Sequence, residues 1–409
     1  MSLRPPSPPT RPGLLIAFVA AGTFIGSILA SMVTVALPSI ARSMDVAMDD
    51  AGMVIQAFLL VAAITLIPAG RLGDRVGHLR VYRVGLGILV VASVLCAAAP
   101  GFHVLLVGRG LQGLGAGMLM SCGPALLTTS VAPSARGRVL GIVSSATYVG
   151  LTLGPPAGGF LVARIGWQGV FALAAAIGAL VFVATLGVSR DEGHGASSEG
   201  WWTELRMFRS PVFSGTMGAA ALLYAALFVV MMLCPFYLEE GLLLRPDGVG
   251  GVLLAQPLVM AVIASPAGWF SDRIGTRSMA AAGMLLCAVT LGAMGLFFGA
   301  ETAPWQVAGL LAVLGLGCGL FISPNSSALM GAADPRAQGS AGAMLSIART
   351  MGMFLGISLA TGVFQVAGGA TRGRWGSTEF HAFGAALGVA AGLMLVGAAV
   401  SALRGEPQV

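Results

Sequence analysis

Two arginines interrupt apolar runs that are long enough to cross a membrane. Arg109 and Arg349 each lie among Leu, Gly, Ala and Met residues, with no acidic residue in the same run. A charge near the middle of a spanning helix costs about 2.5 to 3.5 kcal/mol on insertion scales, so such a residue usually has a function or a specific partner. We expect a functional role for Arg109. For Arg349, function and simple bonding to a neighbouring carbonyl or the membrane surface remain equal alternatives.

Acidic residues are placed differently, because none falls within a predicted span. A buried carboxylate is the usual proton carrier of a membrane pump, since desolvation raises its pKa toward neutrality. The nearest candidates are Glu239 and Glu240, at the outer end of the seventh predicted span. A solvated loop is the simpler interpretation of this pair, and we adopt it here.

Two tight turns carry an Asp-Arg pair with a glycine two residues after the arginine. Asp74 and Arg75 follow the second predicted span, and Asp272 and Arg273 follow the eighth. An Asp beside the start of the next helix can cap that helix, while the adjacent Arg can bridge to a moving neighbour. Ordinary capping without any bridge is the alternative.

Composition predicts that the elements carrying these residues are membrane helices. Of the 409 residues 56% are hydrophobic and only 9% are charged, and the mean hydropathy is +0.90. Such a chain has too little polar surface for a water-soluble particle. The five Cys are scattered singly without a C-x-x-C pair, which predicts neither a disulfide framework nor a metal site, and no cofactor is expected.

About twelve apolar runs have the roughly 20 residues that a membrane helix needs. We therefore predict an all-α integral membrane protein. The one long polar stretch in the middle, residues 188–211, is predicted to link two six-helix halves at 14–187 and 212–403. Residues 1–13 are predicted to be a disordered cytoplasmic tail, and residues 404–409 a second tail.

Arginine placement predicts the orientation. The net charge of +6 comes from Arg, because the chain has no Lys. If the N-terminus is cytoplasmic, only five arginines fall in outer segments: Arg42, Arg164, Arg245, Arg372 and Arg374. Positive loops stay in the cytoplasm, so both termini and the linker are predicted on that side of a bacterial inner membrane. The basic balance therefore reflects topology, and no nucleic-acid partner is expected.

An internal repeat supports the two halves. Gly150 and Gly154 recur as Gly352 and Gly356 at an offset of 202 residues. The same offset relates Gly113, Gly115 and Gly117 to Gly315, Gly317 and Gly319. Because six spans separate the equivalents, both halves keep one orientation and form a parallel repeat. Neither intramembrane arginine is repeated: Arg109 maps to Leu311, and Arg349 maps to Thr147.

Three motifs resemble those of the major facilitator superfamily. The loop pattern G-x-L-x-D-R-x-G-R-R is matched by Gly70, Leu72, Asp74, Arg75, Gly77 and Arg80, with His78 and Leu79 where basic residues are usual. The fourth-helix pattern L-x-x-x-R-x-x-Q-G-x-G is matched by Leu105, Arg109, Gln112, Gly113 and Gly115. The fifth-helix pattern of exporters, G-x-x-x-G-P-x-x-G-G, is matched by Gly150, Gly154, Pro155, Gly158 and Gly159.

The chain is similar to this superfamily over nearly its whole length, as a twelve-span relative of the drug:proton antiporter branch. The resemblance implies that Arg109 and Gln112 serve proton coupling or the sensing of substrate charge. It also implies that Gly70, Asp74, Arg75 and Gly77, with Asp272 and Arg273, form a latch for the outward-facing state. The acid usual in the first helix of that branch is replaced by Leu29, so a proton remains an open partner.

A central cavity is expected to carry neutral polar and adaptable side chains. The candidates are Ser27, Ser31, Thr34, Tyr224, Met231, Gln256, Ser323 and Asn325. Helix packing explains many of them without a substrate. Together they favour a lipophilic or amphipathic solute that is neutral or anionic.

The sequence thus predicts a monomeric secondary transporter, not an enzyme, that exports a small solute by alternating access. One alternative is an importer of a small organic solute with the same fold. The other is a ligand sensor that binds without transport. No His cluster, H-E-x-x-H motif or Ser/His/Asp set is present.

Overall fold

Helices account for nearly all of the described structure. The computed structural model describes residues 12–128, 136–187, 206–333, 338–370 and 375–405. No β-strand occurs in these ranges. Residues 1–11 and 406–409 of the predicted tails, linker residues 188–205, Arg372 and Arg374 lie outside them.

The first group of helices follows the first six predicted spans. They are α1 (Pro12–Ser43), α2 (Met48–Val76), α3 (His78–Ala97), α4 (Phe102–Thr128), α5 (Arg136–Ile165) and α6 (Gln168–Leu186). Most of them extend beyond the apolar runs, so α1 ends with Arg42 in its last turn and α2 begins with Asp49 and Asp50 in its first turn.

The second group begins after a short 3-10 turn at Arg206–Arg209. Its helices are α7 (Pro211–Phe236), α8 (Pro246–Leu253), α9 (Ala255–Ile274), α10 (Thr276–Phe297), α11 (Pro304–Ala332), α12 (Gln338–Val366) and α13 (Ser377–Leu403). A π-helical turn, Tyr237–Gly241, prolongs α7. The helices α8 and α9 share one apolar span, Pro246–Ser271.

Among the described residues, eleven helical segments are long and apolar enough to cross a membrane. The helix α5 is not one of them, although its 30 residues give it sufficient length. The seventh span runs from Pro211 to Gly241. This helical segment includes Glu239 and Glu240, which the sequence placed just beyond the seventh apolar run.

Helix packing divides the bundle into two groups. The helix α1 packs on α5, α2 on α4, and α3 on both α4 and α6. In the second group α7 packs on α12, α10 on α13, and α11 on α9 and α10. Contacts between the groups are made mainly by α5 with α8 and by α2 with α12; we call this boundary the seam.

Successive spans cross the bundle in alternating directions. We call the end where α1 begins and α13 ends the terminal face, and the other end the opposite face. At the terminal face α2 turns into α3 at Gly77 (φ 101°), and α9 turns into α10 at Gly275 (φ 97°). These angles lie in the left-handed region that favours glycine. In both repeats the chain therefore reverses its direction sharply at a glycine.

Candidate functional site

Arg109 is buried inside the first group of helices. Its side chain is 1% exposed. Nε donates a hydrogen bond to the Val54 carbonyl (2.8 Å), and Nη1 donates to Oε1 of Gln112 (2.7 Å). The guanidinium also lies 4.5 Å from the centre of the Phe58 ring. The Gln112 amide in turn donates to Oγ of Ser93 (2.8 Å), so this network ties α2, α3 and α4 together.

Arg349 lies at the seam and has fewer partners. It is half-buried, and Nη2 donates to Oγ of Ser326 at 3.0 Å. The guanidinium lies 5.6 Å from the centre of the Tyr224 ring. Its Nε is buried without a hydrogen-bond partner in the described part of the chain. The two arginines predicted from the sequence therefore lie in separate environments.

Tyr148 belongs to the surroundings of Arg349 and was missed from the sequence. This half-buried tyrosine of α5 interacts electrostatically with both Tyr224 and Arg349. Tyr148 lies on a helix of the first group, whereas Tyr224 and Arg349 lie on helices of the second, so residues of both groups interact here. The internal repeat contained the signal, because Arg349 maps to Thr147, the residue before Tyr148.

Glu239 and Glu240 face Arg42 across the seam at the opposite face. Arg42 donates to Oε1 of Glu239, and its Nη1 lies 3.7 Å from Oε1 of Glu240. The Glu239 side chain is only 6% exposed, whereas that of Arg42 is 51% exposed. The solvated-loop interpretation of the two acids is therefore wrong: the π-helical turn after α7 directs them into the seam. We call the three residues the Arg42 cluster.

Other contacts close the seam near the same face. Gln56 of α2 donates to Oγ of Ser358 of α12 (2.8 Å). Gln365 of α12 donates to a carboxylate oxygen of Asp49 (2.7 Å). These bonds and the Arg42 cluster join α1 and α2 to α7 and α12.

The fifth-helix motif divides between two neighbours. Gly150, Gly154 and Gly158 lie against α1, where a side chain on Gly158 would come within 2.9 Å of Cα of Met32. The backbones of Pro155 and Gly159 instead lie against Gly250 and Pro246 of α8. One face of α5 thus packs within its own group, and the other face forms the seam. Such close approach is possible because one side of each contact is a glycine.

The predicted latch residues lie at the terminal face. Gly70 packs close to Ser121 of α4. Oδ1 of Asp74 lies 3.2 Å from Nε2 of His78, and Arg75 is exposed. The cap of α3 is Gly77, without a side-chain hydrogen bond, so Asp74 does not cap that helix as we expected.

The second latch turn resembles the first in its backbone. Arg273 lies 3.9 Å over the Trp269 ring. The side chain of Asp272 lies outside the described part of the structure.

Three of the eight candidate cavity residues are buried with structural partners. Ser31 donates to the Leu151 carbonyl (3.1 Å), and Thr34 donates to the Ser31 carbonyl (2.7 Å). Asn325 donates to the Thr216 carbonyl (3.0 Å) and accepts from Arg404. The bonds of Ser31 and Asn325 join neighbouring helices, whereas that of Thr34 lies within α1. The half-buried candidates are Ser27, Tyr224, Met231, Gln256 and Ser323.

Arg404, just beyond the end of α13, was also missed from the sequence. It is 3% exposed, and burial lowers its pKa to about 10. The side chain remains charged near neutral pH and links the end of α13 to α11. Its predicted place in a tail gave no signal of this role. No cluster of three or more potential metal ligands occurs in the described ranges.

The comparisons with known proteins agree with this architecture. The chain is 25% identical over 405 residues to the riboflavin transporter RibZ of Clostridioides difficile, covering 86% of this chain and 88% of the relative. It is 26% identical over 395 residues to the multidrug resistance protein Stp of Mycobacterium tuberculosis, covering 83% and 73%.

A solved structure shares the fold. The crystal structure of a bacterial homologue of the human lysosomal transporter Spinster, inward-facing and unoccupied, superposes with a TM-score of 0.81 at 16% identity and covers 97% of both chains. The profile described as Major Facilitator Superfamily matches residues 19–357 and 216–408. The repeated helical groups, the seam and these matches together show that the chain is a transporter of the Major Facilitator Superfamily.

Proposed function

We propose that this transporter exports a small lipophilic or amphipathic solute by alternating access between halves at 14–187 and 212–403. The observation that carries the proposal is the location of the seam contacts. The Arg42 cluster, the two side-chain bonds between α2 and α12, and the backbone approach of α5 to α8 hold the opposite face closed. Polar groups deeper in the seam, such as Tyr148 and Arg349, remain partly exposed.

The membrane orientation follows from charge. Loop arginines are concentrated at the terminal face, so this face lies in the cytoplasm of a bacterial cell. The described conformation then has its outer side closed. Binding from the cytoplasmic side fits the first step of an export cycle.

The fifth-helix motif and a relative that is a multidrug resistance protein also support export. Protons are the proposed coupling ion, and the carboxylates of the Arg42 cluster are the groups that we propose they bind. The latch around Asp74 would act in the opposite state, when the terminal face closes. Each chain contains both halves, so we propose that a monomer is sufficient.

Import is the second candidate, because alternating access by itself sets no direction. The relative RibZ is a riboflavin transporter, so a vitamin-like solute is a reasonable cargo for the same fold. The two candidates differ in the direction of transport, because both alternate between the same two conformations.

Direction can be measured in cells that lack their own broad-range exporters. Cells with and without the protein are loaded with a neutral, an anionic or a dicationic fluorescent compound, and retained fluorescence is followed. We expect faster loss of the neutral and anionic compounds only. A dication would enter a site whose charged side chain is Arg349, and burying it there without a countercharge is costly.

The other outcomes have distinct meanings. Faster accumulation would favour import. Equal rates with and without the protein for all three compounds would contradict transport and favour a ligand sensor. Robust extrusion of the dication would contradict the proposed charge preference.

A further inference from the structure

Arg349 has a charge that the protein only partly stabilises. It lies eleven positions after the start of α12, about 16 Å along the helix at 1.5 Å per residue. At such a depth a cation needs partners. In the described part of the chain no carboxylate lies within ion-pair distance of it. Its partners there are one hydroxyl and one aromatic ring.

Arg109 shows how the same chain accommodates a buried arginine whose donors have acceptors. Its Nε and Nη1 both donate to buried acceptors, and two aromatic rings lie beside it. The Nε of Arg349 has no acceptor among the described residues. An unsatisfied buried donor destabilises a protein, and a ligand that accepts this hydrogen bond would remove that cost.

The groups around Arg349 come from both halves. Tyr148 on α5 is near enough to interact electrostatically with Arg349, and the Tyr224 ring on α7 has its centre 5.6 Å from the guanidinium. Both phenols can donate hydrogen bonds, and both rings offer flat apolar surface. Met231 lies two turns beyond Tyr224 on the same face of α7 and adds adaptable apolar surface.

We propose that Arg349, Tyr148 and Tyr224 form the recognition site for an amphipathic organic anion. The ligand's carboxylate binds the guanidinium, whose planar set of donors matches a carboxylate in two-point geometry. Its aromatic or other flat apolar body lies against the two tyrosine rings. This inference rests on the proposed transport function and names the substrate class.

A ligand in this place would also contact both halves at once. It would connect α5 to α7 and α12 at a depth where the described side chains leave polar groups partly exposed. Because a ligand shifts an equilibrium only by its differential affinity for two states, a site shared by both halves is suited to drive alternation.

Three pyrene compounds of matched skeleton test the site. Pyrenebutyrate is anionic, pyrenebutanol is neutral, and pyrenebutylamine is cationic. The full chain is purified in detergent, and dissociation constants are obtained from the shift of unfolding temperature with ligand concentration. We expect pyrenebutyrate to bind most tightly and pyrenebutylamine most weakly.

Variants then assign the contacts. Arg349→Gln should weaken pyrenebutyrate binding by about tenfold or more, with little effect on pyrenebutanol. Arg349→Lys should be intermediate, because it keeps the charge and loses the two-point geometry. Tyr148→Phe and Tyr224→Phe should each weaken anion binding by about two- to fivefold. The matched control is Arg164→Gln, an exposed arginine of α5, which should bind as the wild type does.

Binding and flux separate the two proposals. Tight anion binding that depends on Arg349, without flux in proteoliposomes, would support the site and contradict transport. Flux of pyrenebutanol combined with anion binding that ignores Arg349 would support transport and overturn the site. Failure of the wild type to bind pyrenebutyrate more tightly than pyrenebutanol would also overturn it.

Discussion

The interior of the first helical group and the seam treat similar residues in opposite ways. In the interior, Arg109 donates to two acceptors, and Gly154 fits against α1. In the seam, one donor of Arg349 has no acceptor among the described residues, and Gly159 fits against a helix of the other group. In the proposed cycle, the same residue types therefore form lasting contacts in one region and contacts that separate in the other.

The difference shows how to distinguish contacts that maintain the fold of a membrane transporter from contacts that change during transport. A contact that persists through the cycle can satisfy every donor, because nothing has to replace its partners. A contact in the seam must be nearly balanced between its closed and open states, since a large free-energy difference would stop alternation.

The interior should be the more sensitive to loss of its arginine. Arg109→Leu removes the donor to Gln112 and leaves that buried amide oxygen unsatisfied, at a cost of about 1 to 3 kcal/mol. The smaller side chain also leaves a cavity beside Phe58. We expect a clearly lower unfolding temperature and a poor yield of folded protein in detergent.

The matched seam variant should behave differently. Arg349→Leu removes a partly unsatisfied cation, so the unfolding temperature should stay the same or rise. Wild-type stability of Arg109→Leu with complete loss of neutral-compound flux would reverse the assignment and make Arg109 part of the transport machinery.

Sequence patterns predict the helices, but they do not predict which side of each helix lies in the seam. Apolar length and the 202-residue repeat indicate the spans because both depend on the chain alone. Which side of a span faces the seam is another matter, since nearly every position is apolar and periodicity carries little signal. For this reason Tyr148 was missed and Asn325 was expected in the cavity.

The acidic pair shows a second limit. Glu239 follows the apolar run of α7, where a sequence reading predicts a loop. The helix continues as a π-helical turn and places the carboxylate against Arg42. That pairing joins residues 197 positions apart, and no local pattern reports it.

The seam can be tested with adjacent glycines of α8. A side chain at Gly250 would overlap the carbonyl of Pro155 on α5, whereas one at Gly251 would meet nothing within 4 Å. Gly250→Leu should therefore hold the opposite face open and reduce flux at least about tenfold. Its unfolding temperature should change little, because the clash lies between the halves.

Gly251→Leu is the control, with the same added volume one residue away. It should retain wild-type flux and stability. Equal flux in the two variants would show that α5 and α8 need not approach during the cycle. A large loss of stability in Gly250→Leu alone would place this contact with the permanent packing.

The smallest expected effect concerns the Arg42 cluster. Protonation neutralises a carboxylate, so acid on the opposite face should weaken the attraction to Arg42 and favour opening of that face. Because Arg42 is half-exposed, solvent screens the pair, and such pairs contribute about 0.2 to 1 kcal/mol. The change in flux between neutral and acidic pH at that face should thus be at most about fivefold.

Glu239→Gln carries the neutral form permanently and should flatten this pH dependence. The control is Asp247→Asn, which changes an exposed acid of α8 that has its own partner, Arg245, and should preserve the pH dependence. Flux in oriented proteoliposomes at varied external pH is the measurement. An unchanged pH profile in Glu239→Gln would remove the cluster from proton coupling and leave it as a contact of the closed seam alone.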